Sequence, residues 1–399
     1  MIKRDDYLAK LVNWKDREVI KVVTGVRRCG KSTLFALYMD YLKSQGVEAQ
    51  QIIAINLEDV AFESLRDYKK LYRYIADKMC SGQKNYIFID EVHRCAQFEK
   101  VVDSLFIKEN ADVYIASSNA NMLSGELSTM LSGRYIAIDM LPLSFEEFSS
   151  AVAGKTEEEK FNEYLTFGSF PSLAELLENQ AICHDYIEGI YHTILMKDVA
   201  SREGITDVSL LERIVKVLIA NIGSSISSNK IANIIALSGR KISVNTVERY
   251  LKCLTDSDIF YKVDRYDIKG RDSLRTLPKY YLVDTGIRNL LVANSASDIG
   301  HMIENVVYLE LLRRGYDVSV GKLGDKEVDF IASTGKETIY LQVSVSVLDE
   351  NTLKRELQLL QKINDNYPKM LLTLDRIGAG SNYDGILQHN LIDWLLGRV

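Results

Sequence analysis

The chain has 399 residues, 47% hydrophobic and 26% charged, with a formal net charge of −6. This is the balance of core-forming globular protein, long enough for two or three domains, and it excludes a disordered or low-complexity chain. No apolar run approaches the ~20 residues of a membrane span, and Met1 to Tyr7 lack the apolar segment of a secretory signal. The five cysteines (Cys29, Cys80, Cys95, Cys183, Cys253) have no C-x-x-C spacing. They point to a reducing, cytoplasmic setting without a zinc site.

Glu18–Thr24 is apolar and β-branched and reads as a strand. It runs into Gly25-Val26-Arg27-Arg28-Cys29-Gly30-Lys31-Ser32, which fits G-x-x-x-x-G-K-[ST] at every fixed position. A helix is expected over Thr33–Leu42. Strand, glycine loop and helix are the context in which backbone N–H groups cradle phosphates. Gly25, Gly30, Lys31, Ser32 and Thr33 are therefore the expected ATP-binding residues, with Lys31 on the β- and γ-phosphates and Ser32 on Mg²⁺. Cys29, among Arg27, Arg28 and Lys31, is expected to be a reactive thiolate. Further strands are expected at Ile52–Asn56, Tyr86–Asp90, Val113–Ser117 and Tyr135–Asp139, with helices between, as at Phe98–Ile107. That alternation predicts a parallel sheet covered on both faces. The third strand ends in Asp90-Glu91. Asp90 would hold Mg²⁺ and Glu91 would act as base toward the attacking water, which implies hydrolysis rather than binding alone.

Residues 145–199 read as mainly helical, broken at Gly168-Ser169-Phe170-Pro171. Helices follow at Leu211–Ile222, Asn229–Leu237 and Ser243–Thr255, then strands at Ile259–Arg265 and Lys279–Val283 around a basic loop. Three helices and a hairpin predict a winged helix-turn-helix. From Leu210 to Lys279 there are 13 Lys+Arg against 7 Asp+Glu, a basic stretch in an acidic chain that suggests an anionic partner, DNA first. Lys241, Asn245, Arg249 and Lys252 on the third helix, with Lys269 and Arg271 in the wing, are the candidate contacts. A return to α/β is expected from Met302: a helix to Arg313, strands at Val328–Ile331 and Ile339–Val347, a helix at Leu353–Ile363 and a strand at Leu371–Leu374. The five histidines show no metal-ligand spacing.

Taken with Ser117-Ser118-Asn119-Ala120, Ser132-Gly133-Arg134-Tyr135, Leu141–Phe148, Phe167–Pro171 and Tyr280–Gly286, these motifs resemble the AAA+-type P-loop ATPases that carry a C-terminal DUF4143 region. The resemblance implies an α/β chain of four parts: an AAA+ core over 1–150, a helical lid or linker over 151–207, a winged helix over 208–292 and a small α/β restriction-endonuclease-like domain over 296–399. It implies that Asn119 orients water at the γ-phosphate, and that Arg134 is an arginine finger reaching a neighbouring subunit's nucleotide, hence a homo-oligomer. It places Glu304 and Asp329 in a nuclease-like site. There the third element reads Gln342-Val343-Ser344 where Glu-x-Lys is expected, so the site is read as degenerate and non-cutting.

The expectation is a Mg²⁺-dependent ATPase that couples its cycle to DNA. The rival is a nucleotide-gated signalling switch whose basic module binds protein.

Overall fold

The computed structural model describes residues 2–118, 133–201, 204–270, 272–292 and 299–399. It forms two compact units: residues 1–142 with 256–258, and Leu143–Thr255 with Ile259–Val399.

The first unit contains α1 (Asp5–Asn13), β1 (Ile20–Thr24), α2 (Lys31–Ser44), β2 (Ile52–Asn56), α3 (Tyr68–Lys78), β3 (Asn85–Asp90), α4 (Phe98–Phe106), β4 (Ala111–Ala116) and β5 (Tyr135–Asp139). Its sheet is parallel throughout, in the order β2-β3-β4-β1-β5. β1 and β3 are buried at every position, as central strands covered on both faces must be. One exception to their apolar character explains itself. Lys21, fully buried in β1, is paired with Asp112 and also donates to the Arg17 carbonyl at 3.0 Å. Asp112 in turn accepts from the Asp16 N–H at 2.9 Å and the Tyr114 hydroxyl at 2.8 Å. The charges are tolerated because every partner is supplied. Ile53, Leu71, Ile87, Val101, Leu105 and Ile115 join one apolar core between this sheet and α3–α4.

The second unit opens with helices α5 (Phe145–Ala151), α6 (Glu157–Phe167) and α7 (Gln180–Thr193), the last continuing as a π-helical turn over Ile194–Ser201. α5 and α6 begin with reciprocal capping boxes, Ser144 with Glu147 and Thr156 with Glu159. Next come α8 (Val208–Ile219), α9 (Ser228–Leu237), α10 (Val244–Asp256), β6 (Phe260–Asp267), β7 (Asp272–Leu282), α11 (Thr285–Leu291), α12 (Ile299–Arg313), β8 (Asp317–Leu323), β9 (Lys326–Ser333), β10 (Thr338–Ser344), α13 (Glu350–Gln361), β11 (Lys369–Thr373), β12 (Asn382–Tyr383), β13 (Ile386–Asn390) and α14 (Leu391–Leu395).

The three helices and hairpin expected at 208–292 are present. The hairpin is not free-standing, however. β6 pairs in parallel with β8, Arg265 opposite Val320, so β6 and β7 form one edge of an eight-stranded sheet ordered β12-β13-β11-β10-β9-β8-β6-β7. Backbone pairing therefore crosses the boundary expected at 292–296.

The Gly-Ser-Phe-Pro break and the Tyr280–Gly286 motif meet in this unit. Asp284, fully buried, accepts from the Ser169 N–H at 2.5 Å, the Ser169 hydroxyl at 2.8 Å and the Gly286 N–H at 2.9 Å. Gly168 ends α6 at φ +88°, and a Cβ there would stand 2.0 Å from the Asp284 carboxylate. Only glycine fits both the backbone and the approach.

Candidate nucleotide site

β1 delivers Thr24 to the loop at the carboxyl end of the sheet, where ligands of open α/β folds bind. Gly25 has φ +137°, and a Cβ on it would lie 2.1 Å from the Met140 carbonyl oxygen. Gly30 turns left-handed, φ 108°, immediately before α2. The loop thus presents Lys31, Ser32 and Thr33 in the first turn of α2. Lys31 is buried, and its ammonium donates to the carbonyls of Gly25 (2.7 Å) and Val26 (3.1 Å). The Ser32 hydroxyl donates to Asp90 Oδ2 at 2.5 Å, across from β3. Two hard oxygens on one spot, beside a loop with room only for backbone, fit a divalent cation and a polyphosphate.

Glu91 is held in a left-handed conformation at φ 50°, a costly backbone state for a side chain with a Cβ. Its Oε2 accepts from the Ser118 hydroxyl at 3.2 Å and lies 3.3 Å from His93 Nδ1, which itself contacts the Ser117 hydroxyl at 3.0 Å. Burial works against its ionised form, but the charges of Lys31, His93 and Arg27 outweigh it and hold the carboxyl below its usual range. Asp90 shifts the other way. Burial pushes it up, with the Glu91 charge, against the Ser32 hydrogen bond and Lys31. Two adjacent carboxylates therefore have different environments.

β4 lies between β1 and β3, as the sensor reading of Asn119 requires. Asn119 itself falls outside the described residues. Arg134 is exposed, with its guanidinium 5.6 Å from the Phe106 ring centroid. The expectation for Cys29 is overturned. Its side chain is fully buried, and burial pushes the thiol up more strongly than Lys31 and Arg4 pull it down. Its sequence neighbours are cationic, but the loop turns the sulfur into the core.

Arg4 was missed. It is buried and donates to the Cys29 carbonyl at 2.8 Å and the Leu141 carbonyl at 2.6 Å, while the Tyr7 hydroxyl accepts from the Leu141 N–H at 3.0 Å. This pair ties the phosphate loop to the chain beyond β5. An arginine before a short amphipathic helix carries no distinguishing sequence signal.

In the second unit Lys241, Asn245, Arg249, Lys252 and Lys269 are all exposed. Lys252 lines a cleft of ≈ 480 Å³ with Glu248 and Lys262, and the Arg249 guanidinium sits 5.5 Å from the Tyr250 ring centroid. Arg271 lies outside the described residues.

The nuclease-like residues converge in part. Glu304 on α12 is buried and accepts from Lys279 Nζ at 2.9 Å and from the Tyr281 hydroxyl at 2.5 Å. Lys279 also bonds Glu327 at 2.6 Å. Burial acts against its charge, but Glu304, Asp329 and Glu327 raise the ammonium above its usual range. Asp329 accepts from the Val343 N–H at 2.8 Å, and Gln342 Oε1 accepts from the Asp329 N–H at 3.3 Å. Burial and the Glu304 charge push Asp329 well up. Ser344 does not join the cluster; its hydroxyl donates to the Ser346 carbonyl at 3.1 Å. An ammonium does reach this cluster, from β7, as Lys279. A charge on the same strand face as Tyr281 was the signal for it. Among the described residues, the group of three ligand-type side chains close enough to share an ion is His184, Asp185 and Glu188, exposed on α7.

An AAA domain family model matches residues 17–149, and a domain of unknown function, DUF8612, matches residues 158–298. An uncharacterized protein of Haemophilus influenzae is 38% identical over 401 residues, covering 99% of each chain. One of Methanocaldococcus jannaschii is 29% identical over 385 residues, covering 89% of this chain and 82% of its own. A Walker-type ATPase of Pyrococcus abyssi shares the fold with a TM-score of 0.53 at 13% identity, covering 73% of this chain and 96% of that one. No described helix is long and apolar enough to cross a membrane.

Proposed function

The chain belongs to the family of its Haemophilus influenzae relative, and from that footing we propose that it is a Mg²⁺-dependent ATP hydrolase of AAA+ type that couples its cycle to DNA in the cytoplasm. One observation carries the reading: Lys31, the Ser32–Asp90 pair and Glu91 stand together at the carboxyl end of a parallel sheet. Lys31 would leave its loop carbonyls for the β- and γ-phosphates, Ser32 and Asp90 would hold Mg²⁺, and Glu91 would take the proton of the attacking water. Mg²⁺ supplies positive charge at the phosphates. Asn119 would orient the water, and exposed Arg134 would reach a second subunit's nucleotide.

The DNA arm rests on the exposed cations of α10 and the hairpin turn, Lys241, Arg249, Lys252 and Lys269, with Asn245 and Arg271. We assign 208–292 the winged-helix role and 296–399 the restriction-endonuclease-like role of a DUF4143-type region. At the latter, Lys279 reaches in from β7 of the former and stands between Glu304 and Glu327, where a cation would sit. The domain is therefore read as engaging DNA or subunits without cutting. The protein-binding switch is the rival.

Phosphate release, measured with and without single-stranded, duplex and branched DNA, tests the proposal. Stimulation by DNA, abolished by Lys31→Ala, is expected. Hydrolysis indifferent to every DNA favours the switch, and no hydrolysis at all overturns the ATPase reading.

A further inference from the structure

The first unit carries a second cationic surface, apart from that of α10 and the hairpin turn. α3 has Lys69, Lys70, Arg73 and Lys78 against one acid, Asp77. Spacing of three and four residues turns Tyr68, Lys69, Tyr72 and Arg73 toward α4. Between the two helices lies an open cleft of ≈ 410 Å³, lined by these four with Lys100 and Ser104 and with no carboxylate among its lining residues. Both rings are already set against ammonium groups. Lys100 Nζ is 5.2 Å and Lys69 Nζ 5.8 Å from the Tyr68 centroid, and Lys108 Nζ is 5.9 Å from that of Tyr72. The nearby Asp67 carboxylate is committed to capping α3, accepting from the backbone of Lys69 and Lys70.

Two aromatic rings one helical turn apart, alternating with three cations, repeat the order of base and phosphate along a single strand. An acidic peptide would answer the cations and offer the rings no planar partner. We infer that the α3–α4 cleft binds single-stranded nucleic acid, with bases on Tyr68 and Tyr72 and phosphates on Lys69, Arg73 and Lys100. This rests on the nucleic-acid reading of the chain but places a contact within the ATPase unit itself. The location has a consequence for the cycle. Glu91 passes through one tight turn, Val92–Arg94, into the segment that starts α4, and Lys100 stands in the first turn of that helix. Asp67, next in sequence to Tyr68, is bridged in parallel to Ala96. An occupant therefore bears on the segment that carries the proposed base.

The test is fluorescence anisotropy of the full chain with labelled oligothymidylate over a salt series. Two variants are compared: Lys69→Glu with Lys100→Glu, and Tyr68→Leu with Tyr72→Leu. Retained thermal melts and basal ATP turnover show that each is folded. The lysine pair is expected to lose affinity by about tenfold or more and to flatten the salt slope by ~1.4, at ~0.7 per phosphate contact on a single strand. The tyrosine pair is expected to lose affinity with the salt slope unchanged, because stacking releases no counterions. Should the wild type bind and both cleft variants match it, this inference falls while the nucleic-acid reading stands. No binding by the wild type removes both. Cleft-dependent binding of polyglutamate without oligothymidylate binding would assign the surface to an acidic protein and overturn the inference.

Discussion

Replacing Glu91 with Gln changes one atom of the proposed base and little of its surroundings. The Ser118 hydroxyl at 3.2 Å can still donate to the remaining oxygen, and the left-handed backbone at φ 50° is unaffected. What is lost is the ability to take a proton. Positioned general bases contribute ~10²–10⁴ in rate, so the barrier should rise by about 3–5 kcal/mol. Nucleotide affinity should be retained, since Lys31, Ser32 and Asp90 are untouched. Single-turnover phosphate release and a fluorescent-nucleotide titration separate the two quantities. Ser118→Ala provides the scale for orientation alone: one hydrogen bond, about 1 kcal/mol, or roughly fivefold in rate. Full turnover in Glu91→Gln would refute the assignment. Equal losses in binding and turnover would show that Glu91 shapes the phosphate site instead of serving the water.

Three further outcomes follow from the burial pattern. Cys29 should alkylate slowly in the native protein whether or not nucleotide is present, and rapidly in denaturant, as read by mass spectrometry of the labelled peptide. Asp284 is pushed up to about 6 by burial against four hydrogen bonds. Its folded form binds a proton more tightly than the unfolded chain, so its contribution to stability is fullest below about pH 4 and declines as pH rises through 6. Asp284→Asn should remove that dependence from the denaturation midpoint, and at low pH should cost about 1–3 kcal/mol if its amide opposes the Ser169 N–H. Incubation with nicked, branched and duplex DNA in Mg²⁺ or Mn²⁺ should yield no cleavage. Cleavage that vanishes in both Asp329→Ala and Lys279→Met would mean that the β7 ammonium completes a working site.

The nucleotide site was legible because its signature is a backbone requirement written in residue types. Glycine at 25 and 30 permits the turns, and the strand before them and the helix after follow from periodicity. β5 falls on Tyr135–Asp139 as the alternation predicts, and the other strands of that sheet lie within two residues of expectation. Legibility failed where partners are distant in sequence. Cys29 reads as electropositive from its neighbours, yet the loop directs it inward. β8 was missed because only Val318, Val320 and Leu323 of its seven residues are apolar, the rest being polar or glycine, and without it the hairpin had no sheet to join. Ser344 shares a strand face with Gln342 by period, but its hydroxyl turns to its own backbone at 346. Lys279 looked like one more cation of a basic stretch until Glu304 and Glu327 closed on it.

The meeting of Gly168 with Asp284 also sets a timetable for biosynthesis. Ser169 and Asp284 are 115 residues apart. At ~5–20 residues per second, roughly 6–23 s separate their emergence from the ribosome. During that interval the last turn of α6 has neither the carboxylate that accepts from Ser169 nor the helix that begins at Thr285. β6 waits a shorter time, since the residue that Arg265 pairs with is Val320 of β8, 55 residues further on. The first unit's continuous run through β5 needs none of these later residues for its sheet. The nascent chain should therefore present a finished nucleotide-binding sheet followed by a long helical segment with exposed apolar faces, the kind of surface that chaperones hold until the last strands arrive.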